Sequence, residues 1–196
     1  GNFFTVNLRN VRSAFEQVPW VRSAQVRREY PRTLRVQLQE HRAVAHWGPE
    51  SGSSMVNSEG EVFESNGVDA ELDDLPRLMG PVGTSEQVLA MEQALLPVFE
   101  PLGLELSGLE LSTRGGWRAS FDGDAAIELG SGTPPEVVQR TRNFAETLTR
   151  VAAQFGRRAD ALESADLRHT GGYALRLRGV STVAAQGTPR AARTHN

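Results

Sequence analysis

Cysteine is absent from the 196 residues, which excludes a disulfide framework and any cysteine-based zinc site. That absence fits an oxidising compartment without requiring one. No apolar run approaches the roughly 20 residues that cross a bilayer, and no charged-then-apolar leader opens the chain. The chain starts on Gly1 rather than Met, which reads as a fragment whose targeting or anchoring segment lies upstream. A strong excess of one charge is also lacking. A net charge of -3, with acids and bases spread along the sequence, argues against a nucleic-acid binder, whose basic residues gather on one face. What remains is ordinary: 39% hydrophobic and 23% charged residues. That suits one large or two small domains with a core of their own.

Periodicity orders the chain into two units. Asn7 is a good N-cap, and Leu8, Val11, Phe15 and Val18 then share one helical face until Pro19 stops the helix. Val21 to Tyr30 is extended, with Ala24 and Val26 on one side and Gln25 and Arg27 on the other. After a turn at Pro31, Leu34, Val36 and Leu38 alternate with Arg35, Gln37 and Gln39, a half-buried strand pattern. Beyond Trp47 a Gly/Ser/Pro-rich stretch marks a boundary. Met55-Val56, Ser58-Glu59-Gly60 and Val62-Phe63 then read as a hairpin with Gly60 at the positive-φ position. Residues 66–76 are acidic loop. Thr84 and Gln87 form a capping-box pattern for a helix bearing Val88, Met91, Leu95 and Phe99, kinked or ended by Pro97. Strands follow at Leu104 to Leu111, around Trp117, Ala119 and Phe121, and at Ala125 to Leu129. Thr133 with Pro134 and Pro135 opens the longest helix, striped by Val137, Thr141, Phe144, Leu148, Val151 and Phe155. Leu162 to Arg168 and Tyr173 to Val180 close the second unit as two strands. Residues 184–196 read as a disordered tail. The class is α+β with antiparallel sheets.

The residues offer no catalytic or metal-binding set. His41 and His46, five apart on extended chain, point to opposite faces and do not converge on a metal. His169 and His195 stand alone. Ser51 misses the nucleophile-elbow pattern. Gly130-Ser131-Gly132 lacks the third glycine of a dinucleotide loop, and Pro134 and Pro135 remove two donors that would meet a phosphate. Glu59, Glu61 and Glu64 read as a solvated cluster, and Trp20, Trp47 and Trp117 as packing residues. No catalytic residue, cofactor or metal ligand is assigned.

Four stretches, taken in order, carry a family resemblance. Pro19-Trp20-Val21 through Arg28-Glu29-Tyr30-Pro31 to Leu34-Arg35-Val36, followed by Glu40 and Ala43 to Trp47, resembles the helix-to-hairpin part of a POTRA domain. Met55-Val56-Asn57-Ser58-Glu59-Gly60-Glu61-Val62-Phe63 is similar to a hairpin of the bacterial cell-division family FtsQ/DivIB, as are Leu75-Pro76 with Leu78-Met79-Gly80-Pro81, and Ala165-Asp166-Leu167-Arg168. The first stretch alone also suits POTRA units of outer-membrane assembly and secretion proteins. A POTRA-type chaperone or docking module of a transport system is therefore the alternative reading. The later stretches favour FtsQ/DivIB.

The resemblance implies a truncated POTRA domain, a helix plus antiparallel strands, at residues 1–47. It lacks the first strand and first helix. A larger antiparallel β domain with two helices follows at 48–183, then the tail. It implies a non-enzymatic scaffold of the divisome, with no nucleic-acid partner. An upstream transmembrane helix would hold the protein in the inner membrane, with this region in the periplasm at the septum. Family partners are FtsB, arriving with FtsL, on the last β-domain strand, and FtsK on the POTRA domain. The matching positions are Arg168, His169, Thr170, Gly171, Gly172, Tyr173, Ala174, Leu175, Arg176 and Leu177 for the first, and Leu8, Ser23, Val26 and Arg28 for the second. The expected contact is strand addition to an open sheet edge, with Arg168 offering its fork to a partner carboxylate. Two departures stand out. His169 occupies a position where the family commonly has Tyr, leaving Tyr173 to supply an aromatic contact. Arg114 alone stands where the family has a basic pair.

Overall fold

The computed structural model describes residues 6–65, 72–169 and 171–180. The expected tail lies outside them, as does Thr170. The first unit is a helix on a two-stranded ribbon. Helix α1 (Leu8–Glu16) starts where the Asn7 side chain accepts the Arg9 amide at 2.9 Å. Its half-buried Leu8, Val11 and Phe15 lie toward strand β1 (Val21–Glu29), which pairs antiparallel with β2 (Thr33–Glu40), Val26 opposite Val36. The Glu16 carboxylate also accepts the Ala24 amide, pinning helix to strand.

The second unit is one nine-stranded sheet. In chain order it comprises β3 (Ala43–Trp47), β4 (Ser54–Asn57), β5 (Val62–Glu64), β6 (Arg77–Met79), helix α2 (Ser85–Phe99), β7 (Leu106–Leu111), β8 (Gly116–Phe121), β9 (Ala126–Ser131), helix α3 (Pro134–Gln154), β10 (Leu162–Asp166) and β11 (Ala174–Leu177). Across the sheet the order is β11-β10-β9-β8-β7-β6-β3-β4-β5. One row of opposed residues, Leu78, Leu109, Ala119, Ile127 and Ala165, runs through the middle of the dry face. Val88, Met91, Leu95 and Phe99 of α2 and Val137, Phe144 and Leu148 of α3 cover it, all buried. The neighbouring row, Glu110, Arg118, Glu128 and Asp166, lies on the open polar face. Alternation of side chains thus separates a dry layer from a wet one.

Four details depart from the sequence reading. The larger sheet is mixed rather than wholly antiparallel, because β3·β6, β6·β7 and β9·β10 are parallel. Parallel neighbours need a long crossover, and α2 and α3 supply two of the three. Ala43–Trp47, assigned to the first unit, hydrogen-bonds within the larger sheet, so the sheets part between Glu40 and Ala43 rather than after Trp47. Thr84 makes no cap bond; its hydroxyl donates to the Pro81 carbonyl at 2.7 Å. The reciprocal cap forms at α3 instead, where the Glu136 carboxylate accepts the Thr133 amide at 2.8 Å.

The two units meet at the β4–β5 turn. Asn57 is fully buried, and its Oδ1 accepts the amides of Glu59 and Glu61 at 3.0 and 2.9 Å. That fixes the amide orientation, so Nδ2 donates to Glu61 at 2.6 Å and to His41 Nδ1 at 2.9 Å. His41 Nδ1 therefore carries a lone pair and the ring proton sits on Nε2. The His41 ring also stacks on Phe63, centroids 4.4 Å apart. Arg22 of β1 closes the joint through Glu61 at 2.8 Å and Glu59 at 3.2 Å. Gly60 adopts φ +81°, and a Cβ there would fall 2.7 Å from Glu86 Cα, so only glycine fits.

Candidate partner-docking edge

Strand β11 is outermost in its sheet and pairs only with β10. It spans four residues rather than the expected Tyr173 to Val180. It ends in a turn, where Gly179 takes φ +70° and the Val180 amide donates to the Leu177 carbonyl at 3.2 Å. The Arg178 amide donates inward, to Ala161 O at 2.8 Å. Because successive main-chain groups of a strand point to opposite sides, Arg176 and Ala174 also bond toward β10. Tyr173, Leu175 and Leu177 face outward, and Val180 occupies the Leu177 carbonyl. Among the described residues the open main-chain groups on this edge are those of Tyr173 and Leu175 and the Leu177 amide.

Each described side chain expected here has a definite place. Arg168 is already engaged: its Nε and Nη2 grip Asp166 at 2.9 and 2.6 Å, and its amide donates to the same carboxylate at 3.0 Å. Those bonds hold the Asp166 carboxyl down at about 2. A partner carboxylate would have to share the guanidinium with Asp166. His169 is exposed, 3.9 Å from Asp166. Gly171 and Gly172 have open space where a Cβ would stand, which suits close backbone approach. Tyr173 is turned to α3: its ring meets Phe144 edge-on at 4.9 Å and its hydroxyl donates to Thr147 at 2.7 Å. Ala174 and Arg176 lie exposed, and Leu177 is buried.

A depression of about 460 Å³ opens beside these residues, walled by Asn143, Phe144 and Thr147 of α3, and by Arg168, His169 and Tyr173. Two neighbouring segments match known families. Residues 45–168 match the model of "Cell division protein FtsQ/DivIB, C-terminal", and residues 1–41 match the "POTRA domain, FtsQ-type". The chain is 37% identical over 182 residues to a cell division protein FtsQ of Thiomonas arsenitoxydans, covering 92% of this chain and 66% of that protein. For the FtsQ of Burkholderia pseudomallei the identity is 36% over 185 residues, covering 92% and 70%. This chain belongs to the FtsQ/DivIB family. It spans about two thirds of the length of these relatives.

The two family matches meet where the two sheets part. In the POTRA-type unit, Val26 and Arg28 fall on the same face of β1 as buried Ala24, and Arg28 Nη2 donates to the Val6 carbonyl at 2.5 Å, beside Leu8. Ser23 points to the opposite face and donates to Gln39 at 3.1 Å. Three of the four expected positions are thus gathered and the fourth is apart. Other edge features escaped the sequence reading. Arg140 donates to the Leu129 and Ser131 carbonyls at 2.5 and 3.1 Å, holding the β9 end against α3. Phe155, counted in the apolar stripe of α3, is 51% exposed. With Val151 and Leu175 it lines one side of a depression along β11 that Glu163 and Arg176 also wall. A stripe running past the last strand it can cover was the available signal. Among the described residues no helix is long and apolar enough to cross a membrane, and no cluster of three metal-ligating side chains occurs.

Proposed function

We propose that this chain is a non-enzymatic scaffold of the bacterial divisome that docks FtsB, and with it FtsL, by strand addition to β11. Leu8, Val26 and Arg28, with Ser23 on the other face, form the FtsK-directed surface of the first unit. An upstream helix anchors the protein in the inner membrane, and the two units work in the periplasm at the septum. The observation that carries the docking reading is the pair of outward main-chain sites at Tyr173 and Leu175 on an outermost strand. An extended segment pairs with such groups. Open space at Gly171 and Gly172 admits its backbone, and the depression walled by Val151, Phe155, Leu175, Glu163 and Arg176 receives its side chains.

The test uses an FtsB-derived peptide and two proline variants. Leu175→Pro deletes an outward amide and leaves the ladder to β10 intact; Ala174→Pro deletes an inward one opposite Asp166. Leu175→Pro abolishes peptide binding while melting near the wild-type temperature. Ala174→Pro lowers the melting temperature. Undiminished peptide binding by a folded Leu175→Pro protein would refute strand addition here.

A further inference from the structure

The 21 cationic residues are all arginines, and the fold gathers them unevenly. Between Val6 and His41 seven arginines stand against three glutamates. The whole chain is net -3, so the remainder carries an acidic excess. Within the first unit the charge concentrates at the β1–β2 turn, where Arg27, Arg32 and Arg35 are exposed. Among the described residues Arg27 bonds only its strand neighbour Gln25, at 3.3 Å, and Arg35 pairs with Glu29 at 2.8 Å. Arg32 has no partner among the described residues. Arg28 is turned away toward Val6. At the apex Tyr30 is 86% exposed, with no hydrogen bond or ring contact to a described residue.

We propose that the β1–β2 hairpin tip is a peripheral contact for anionic phospholipid headgroups. A hairpin tip is convex, so it meets a flat surface better than it encloses a ligand. Arginines flanking an amphipathic ring match the chemistry of a headgroup layer. The cations are drawn by the negative surface potential, and tyrosine settles at the water–acyl boundary. The same field repels the acidic second unit, which orients the molecule tip first and keeps the β11 edge away from the surface. The tip contact is independent of what docks at β11.

The experiment is co-sedimentation of the full chain with vesicles of phosphatidylcholine alone, and with vesicles carrying phosphatidylglycerol as well. Binding is expected only to the anionic vesicles, and high salt abolishes it. Arg27→Ser and Arg32→Ser each weaken it about fivefold. Tyr30→Ser weakens it without changing its salt dependence, and Tyr30→Trp restores it with a blue-shifted emission on binding. All three positions are exposed, so unchanged circular dichroism melts will certify the fold. Equal binding to neutral vesicles, or anionic binding unaltered in the folded variants, overturns the proposal. So does capture by a soluble acidic polymer without capture by anionic vesicles, which marks an acidic protein partner instead.

Discussion

Asn57→Ala is the most informative single substitution outside the docking edge, because one buried amide organises both the β4–β5 turn and the joint between units. The substitution deletes four hydrogen bonds: two accepted from the Glu59 and Glu61 amides, one donated to the Glu61 carboxylate and one to His41. Neutral bonds contribute about 1 kcal/mol each and a bond to a charged group about 2. The turn amides and Glu61 regain water once the amide is gone, which offsets part of the loss. A net cost of about 3 kcal/mol follows, or a fall in melting temperature of about 6–12 °C for a chain of this size. The Asn57 amide is also the largest cause holding the Glu61 carboxyl below the ordinary carboxylate range, so that group titrates higher in the variant. Asn57→Asp separates the two halves of the role. It keeps the acceptor for the turn amides but sets a carboxylate against Glu61. Two carboxylates sharing a site raise a pKa, and a raised folded pKa means stability present at low pH and lost as pH rises through it. The Asn57→Asp deficit therefore shrinks on acidification; that of Asn57→Ala shrinks too, but only by the part that the ionised Glu61 carboxylate carries in the wild type. Thermal melts followed by circular dichroism across the carboxylate range decide the matter. An Asn57→Ala protein melting with the wild type, or an Asn57→Asp deficit independent of pH, refutes the keystone assignment.

Two further outcomes follow from carboxylates. Glu92 is buried in α2, with no ion pair or hydrogen bond to a described residue, and burial pushes its carboxyl up. Its folded pKa is raised, so it costs stability as pH rises toward neutral; Glu92→Gln raises stability there by about 1 kcal/mol and flattens that part of the pH profile in chemical denaturation. Asp166 is the opposite case. Held at about 2 first by the Arg168 side-chain bond, it adds stability above the unfolded carboxylate pKa that is lost as pH falls toward the folded value. Arg168→Ala returns the Asp166 carboxyl toward the ordinary range, read by its NMR titration; an unmoved titration breaks the assignment.

How much of this was legible in the sequence depends on the range of the force concerned. Alternation at Leu34 and Val36, the α3 stripe from Val137 to Leu148 and the turn at Gly60 are local patterns that the structure keeps, whereas Leu38 and Phe155, at the ends of their patterns, are exposed. The parallel pairs were hidden because alternation reports which face is dry, not which way a neighbour runs. Helices placed between β6 and β7 and between β9 and β10 were the overlooked signal for a crossover. The Thr84 cap failed because its backbone, at φ -104° and ψ 8°, is not the extended conformation a capping residue takes, and its hydroxyl turns to the Pro81 carbonyl instead. Arg168 read as a free fork because sequence shows the charge two residues from Asp166 but not the turn that folds one onto the other.

The docking edge itself turns on an irregularity that the sequence did carry. Leu162, Ala165 and Leu167 are spaced by three and then two, so no regular strand puts all three on one face. All three are nonetheless buried, because the pairing of β10 with β11 slips between Leu162 and Ser164, leaving Glu163 as the extra residue. A bulge of this kind re-aims the side chains beyond it. Here it keeps Leu162 and Ala165 in the core and sends Asp166 to the open face, where it holds Arg168. Past the bulge, Asp166 stands opposite Ala174 and Ser164 opposite Arg176. With Arg178 also bonded inward, Tyr173 and Leu175 are the residues whose amides and carbonyls face out. Broken alternation in the strand next to an edge thus marks where that edge is set, and deletion of Glu163 would leave Leu162 and Ala165 two apart, on one face of a regular strand that needs no bulge.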